Sequence, residues 1–266
     1  MAWYTSLDNS INRLQLPSTW QKQIVDGSEG ISNVIAKVLL DDLQRLNRPI
    51  LFALDGYKGA KPQPFLDGLR RVLSLSGTEV VVFDVNAVFG SKEELDKIAR
   101  PYEKPDDPDF GYVFSGNIEE LTDSMKVKET SIAWEKLRGE KGRRTVLICH
   151  GIGAALPQWR YLFDRIAFLD VTREQIIIRS ERNELLPVGE DTARGYPFKR
   201  IYYFEYPMLN RHKMQLLKDI DWYIDNCDEK NSKLVPCTLQ DEFMIPCPKF
   251  GTSRIVALMT SNDRLI

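Results

Sequence analysis

The chain is poor in the residues that most often carry metal or redox chemistry. It has two histidines, His150 and His212, in 266 residues, too few for a centre built on several imidazoles. Its four cysteines, Cys149, Cys227, Cys237 and Cys247, include no C-x-x-C pair, which excludes a zinc knuckle or a dithiol motif. The last three are spaced by ten, but nothing nearby supplies a fourth ligand, and free thiols in a reducing compartment are expected. No apolar run approaches the roughly 20 residues that span a bilayer. The opening MAWYTSLDNSINRLQLPSTW has no basic stretch leading into an apolar core, so no secretory signal is read there and a cytoplasmic location is expected. A formal net charge of -2 with no Lys/Arg block gives no nucleic-acid surface. A hydrolase elbow, G-x-S-x-G, is missing although His150-Gly151 has the look of an oxyanion turn. No G-x-G-x-x-G opens a helix, which argues against a dinucleotide enzyme.

What is present suits a globular protein. Hydrophobic residues make up 43% and charged residues 28%, enough for a sizeable core in one large domain or a domain with a small appendage. Residues 1–29 read as a polar arm in which Trp3, Tyr4, Leu14, Leu16 and Trp20 can dock on that core. Ile31, Val34, Ile35, Val38, Leu39 and Leu43 then form one apolar stripe, a helix with Ser28 as candidate cap. It ends near Asn47, because Pro49 disfavours helix in the residue before it. Apolar runs at 50–54, 78–83, 145–149 and 166–171 have the length and composition of strands buried on both faces. Residues 200–206, RIYYFEY, read as a fifth strand. Helical spacing is found at 65–73, at 90–99, from Ile118, from Thr172 and over 208–226. Strands alternating with helices predict a three-layer α/β/α fold on a mainly parallel sheet. The expected organisation is an arm (1–29), an α/β domain (30–226) and a C-terminal appendage or edge hairpin (227–266).

The chain is organised around PILFALDGYKGAKPQPFLDGLRRVL. A buried strand runs into Asp55-Gly56-Tyr57-Lys58-Gly59-Ala60-Lys61 and on into a helix, the context in which a Gly-rich loop can bind an anion. The phosphate-loop pattern G-x-x-x-x-G-K-[ST] is met in part. With Lys61 as its lysine, Asp55 and Ala60 replace the glycines and Pro62 replaces the hydroxyl residue. Pro62 also lacks an N–H. Asp55 places negative charge where a triphosphate would sit, though a carboxylate there can also bind a metal or a hydroxyl. The alternative is a plain strand–helix turn with solvated lysines.

Further candidates lie at strand ends. Asp84 closes the second strand, where ligands of open α/β sheets bind; the alternative is a turn-capping aspartate. His150 follows Cys149 at the end of the third strand, and their side chains point to opposite faces. It reads first as a structural histidine, and His212 as facing solvent or an acidic neighbour. Asp106, Asp107 and Asp109 sit among prolines, as ligands for metal or sugar hydroxyls or as turn builders.

In order, these pieces resemble the P-loop small-molecule kinases of the uridine kinase-like group: the Gly/Lys loop, VVVFDVN, KPDDPDFGYVFSGNIEEL, TVLICHGIGAAL and RIAFLDVTREQIIIRSER. The resemblance covers about residues 48–225. CHGIGAAL, LDVTREQIIIRS and FEYPMLNRHK…DIDWYIDN look closer still to the kinase-like N-terminal region of some long bacterial class I mannose-6-phosphate isomerases. The cupin-type half of those isomerases has no counterpart here. The resemblance implies a P-loop kinase-like fold in which Gly56, Tyr57, Lys58, Gly59, Ala60 and Lys61 bind phosphate. Arg173, Arg179 and Arg182 would neutralise it, and Asp84 with Lys61 would serve the transfer. Each arginine alone can equally be a surface charge. ATP and magnesium are the implied cofactors; no protein-bound metal site is expected. The departures in the loop favour a module that binds a phosphorylated small molecule, a sugar or a partner without efficient transfer. An isomerase-type domain or protein is the implied partner. An active kinase acting on a hydroxyl of a nucleoside or sugar is the alternative.

Overall fold

The computed structural model describes residues 18–190, 192 and 198–236. A short helix α1 (Ser18–Gln21) and a two-residue strand β1 (Val25–Asp26) precede helix α2 (Ser28–Leu46). Then come β2 (Ile50–Gly56), α3 (Gln63–Leu75), β3 (Glu79–Asp84), α4 (Lys92–Glu103), α5 (Ser124–Arg138) and β4 (Thr145–Gly151). β5 (Arg165–Asp170), α6 (Arg173–Glu181), α7 (Tyr206–Leu216), β6 (Trp222–Asp225) and β7 (Lys233–Pro236) complete the described chain.

The strands form one sheet in the order β1-β7-β6-β5-β2-β4-β3. β3, β4, β2, β5 and β6 run parallel, while β7 is antiparallel to both β6 and β1. The three-layer α/β/α architecture read from the sequence is the one observed. β2 is central, with all seven residues buried. Its side chains alternate between two cores, as the two-residue period of a strand requires. Ile50, Phe52 and Leu54 pack under α2 and α3; Leu51 and Ala53 face the layer that holds Trp134 of α5 and Met208 of α7.

Four local expectations are corrected. Residues 200–206 are not a strand: a π-helical stretch (Arg200–Glu205) runs into α7. Arg200, Ile201, Phe204, Glu205, Met208 and Leu209 are buried, a spacing of three and four that places one helical face inward, so packing overrides the β preference of the aromatic run. Helix does not extend to Asn226 either. It stops at Leu216, because Trp222, Tyr223 and Ile224 pair in parallel register with β5. Residues 118–121 form a separate 3-10 turn, and α5 starts at Ser124 with Asp123 accepting from the amides of Met125 and Lys126. Ser28 is the first residue of α2 rather than its cap; Gly27 precedes it with φ 75 and no side-chain capping bond is made.

Candidate functional site

β2 lies between β4, which leads outward to β3, and β5, which leads to the opposite edge. The strand order therefore reverses at β2, and ligand crevices of open α/β sheets form beyond the strand C-termini at such a point. A cleft of about 640 Å³ opens there. Its walls are the loop after β2, the ends of β3 and β4, and the segment from Glu184 to Glu190, with Glu229 at the rim.

The loop is fastened from several sides. Gly59 has φ +79 and an added Cβ would lie 3.1 Å from Leu185, so glycine suits the turn. The Tyr57 amide continues the ladder to Leu169 O (2.8 Å), and that of Ala60 closes a turn on Tyr57 O (3.0 Å). The Lys61 amide donates to Asn226 Oδ1 at 2.7 Å. Arg179, 1% exposed, donates to the carbonyls of Gly59 (2.5 Å) and Asn226 (2.9 Å). Burial draws its proton affinity down.

Both loop lysines are engaged by carboxylates. Lys61 lines the cleft, and its ammonium lies 2.7 Å from Glu184 and 2.6 Å from Glu229. Partial desolvation opposes its charge, but these two bonds outweigh it and raise its pKa. Lys58 is turned inward, wholly buried, and paired with Glu205 at 2.6 Å.

Asp55 points inward too. One oxygen accepts the amides of Gly56 (2.7 Å) and Gly153 (2.9 Å); the other accepts the Ala155 amide (2.9 Å) and lies 2.8 Å from His212 Nε2. The carboxylate is 0% exposed. Gly153 has φ +84, which lets the turn after β4 aim two amides at this carboxylate. His212 is buried against it rather than facing solvent. The acidic neighbour expected for that histidine is thus Asp55, and the metal or hydroxyl reading of Asp55 fails on its burial.

Asp84 and His150 do reach the cleft. They are register partners on adjacent strands. Asp84 also caps the following turn through the Asn86 amide at 2.9 Å. Burial lowers the His150 pKa more than Asp84 raises it. Asp107 is a turn builder, accepting from Asp109 and Phe110 amides at 3.0 and 2.9 Å. Arg173 lies over the rings of Tyr206 (5.5 Å) and Tyr202 (5.9 Å), and Arg182 closes α6 as an exposed residue; neither lines the cleft. Cys149 and Cys227 are free thiols, and Cys237 and Cys247 lie outside the described residues.

The cleft is acidic. Asp67, Asp84, Glu184, Glu190 and Glu229 line it, with Lys61 the lining cation among the described residues. Four of these five acids escaped the sequence reading, since they come from a helix and separate loops that share no motif. Asp67 had a faint signal, lying four residues after Gln63, whose amide donates to it at 2.7 Å. Among the described residues no group of three or more His, Cys, Asp or Glu side chains could hold a metal ion. No helix among them is long and apolar enough to cross a membrane.

Fold and site together define an α/β protein with a cleft at its topological switch point. The chain belongs to the family described as Domain of unknown function (DUF8485), which matches residues 28–243. Among solved structures it is similar to a "Possible Uridine Kinase" from Bacillus stearothermophilus, at 15% identity and TM-score 0.40, over 72% of this chain and 96% of that one. It is also similar to D-glycerate 3-kinase from Cryptococcus neoformans, at 10% identity and TM-score 0.41, over 67% of this chain and 88% of the other. No curated protein matches the chain.

Proposed function

We propose that the chain is a kinase-shaped binding module that takes a hydroxyl-rich small molecule, of nucleoside or sugar type, into the cleft and does not transfer phosphoryl groups efficiently. The observation that carries this reading is the engagement of Lys58, Lys61 and Arg179 by internal partners. Phosphoryl transfer depends on cations and amides placed to neutralise charge. Here four loop amides, those of Gly56, Tyr57, Ala60 and Lys61, already donate within the protein. The carboxylates that line the cleft repel free phosphate and accept hydrogen bonds from hydroxyls. A phosphorylated ligand fits this reading when it brings its own counter-ion. The resemblance to the front region of long isomerases extends the proposal to a partner, an isomerase-type domain or protein.

Asp84 and His150 at the cleft favour a second reading, an active kinase. Asp84 would accept the proton of a substrate hydroxyl, and ATP would supply the phosphoryl group with magnesium bound to its phosphates. Isothermal titration of ATP, with and without magnesium, separates the two. The first reading expects no heat at millimolar nucleotide and measurable binding of a nucleoside or sugar. Magnesium-dependent ATP binding, with turnover abolished by Asp84→Asn in a folded chain, would establish the second.

A further inference from the structure

A second cavity, of about 420 Å³, lies beside α5 and shares no lining residue with the cleft. One wall is a face of α5, where Val127, Lys128, Ser131, Ile132 and Glu135 recur at intervals of three and four. Glu119, in the 3-10 turn before α5, and Tyr161, between β4 and β5, face it. The turn is held in place: Thr122 Oγ1 donates to Glu119 O at 2.7 Å, the Gly90 amide to Leu121 O at 3.0 Å, and the Asp123 amide to Val88 O at 2.8 Å. Tyr161 is fixed as well, its hydroxyl donating to Glu135 Oε1 at 2.6 Å.

Three features of this cavity find no match within the described residues. Glu119 Oε2 is buried and has no hydrogen-bond partner, a costly state for a carboxylate oxygen. Lys128 lines the same cavity and forms no ion pair with Glu119, Glu135 or another described acid. Ile132 and Tyr161 stay 56% and 63% exposed beside these charges. A monoamine would answer the acid and leave the lysine, and a fatty acid would do the reverse. A ligand that answers all three carries an ammonium, a carboxylate and an apolar stem. The volume is that of a small-molecule site.

We propose that this cavity binds a free α-amino acid with an aliphatic side chain. Its ammonium donates to Glu119, its carboxylate meets Lys128, and its side chain covers Ile132 and Tyr161. The site is independent of the reading of the cleft. Titration of L-leucine into the full chain, followed by heat and by amide chemical shifts, tests it. Leucine should bind at millimolar concentration or below. Leucinamide should bind about two- to fivefold more weakly, the worth of one exposed ion pair. N-acetylleucine, which has no ammonium, should bind roughly tenfold or more weakly, the worth of one charge-assisted hydrogen bond. Glu119→Gln, in a chain that still melts cooperatively, should cost leucine about the same tenfold. Shift changes should centre on α5 and Tyr161. Absence of leucine binding, equal binding of N-acetylleucine, undiminished binding by a folded E119Q chain, or shift changes at the cleft instead would each overturn the site.

Discussion

Asp55 stands at the end of the central strand, where the side chain of an α/β protein commonly meets its ligand, yet its four donors all belong to its own chain. It pins the turn after β4 and the middle of α7 to the start of the Gly/Lys loop. Asp55→Asn keeps the shape but turns one acceptor into a donor that faces N–H groups. The expected loss is about 3 kcal/mol, since a buried hydrogen bond to charge is broken and its donors are left unpaired. Urea unfolding at neutral pH measures it, and a change within about 0.5 kcal/mol would show that the charge is dispensable. That Asp55 matters was legible in the sequence, because it replaces a motif glycine. That it turns inward was not, because three of its four donors, on Gly153, Ala155 and His212, lie about a hundred or more residues further along the chain.

At the scale of elements, α2 and α3 approach each other closely. Ser32 donates to Phe65 O at 3.3 Å, and a Cβ added at Gly68 would sit 2.4 Å from Ser32 Oγ and 2.7 Å from its Cβ. Gly68→Ala therefore forces the helices apart. Its gain in helix propensity is smaller than the overpacking, and a net loss of about 1–2 kcal/mol is expected. A melting temperature at or above that of wild type would show that the helices part freely there. The strands β2, β4 and β5 were legible because each is an apolar run of five or six residues bounded by breakers; β3 was legible as a strand, but it lies at the sheet edge and is half-exposed rather than buried on both faces. β6 was not. Its four residues follow a charged helix without a turn signal, and pairing with β5 rather than local preference makes them a strand. The π-helical stretch failed for the opposite reason, its β-prone aromatics being held in a helix by the inward face.

At the scale of the whole molecule, Asp164 joins three segments. Its carboxylate receives both guanidinium nitrogens of Arg48 (2.6 and 3.0 Å), the Leu51 amide (3.0 Å) and Arg138 (3.0 Å). Burial pushes its pKa up, but the bonds to Arg48, Leu51 and Arg138 outweigh that and hold it below the ordinary 3.8. A depressed carboxyl stabilises the fold above its unfolded pKa, and that contribution is lost as pH falls through the folded value. The gap in melting temperature between wild type and Asp164→Asn should be full near pH 7 and shrink below about pH 4. A gap independent of pH would exclude this role. The three-layer plan was legible from alternating strands and helices, whereas the acidic cleft was not, since its walls meet only after the sheet is assembled.

The position of β2 also sets an order in time. Its partners are β4 and β5, with Ile50 opposite Val146 and Phe52 opposite Arg165. As the chain leaves the ribosome, the most apolar strand waits for about a hundred residues before a neighbour is made. The Asp55 carboxylate waits longer still, until His212 emerges. Until then α2 and α3, which pack on each other and on one face of β2, are its shelter. The nascent chain is accordingly most exposed to misassociation between the synthesis of β2 and that of β4, and a chaperone would find its substrate in that interval.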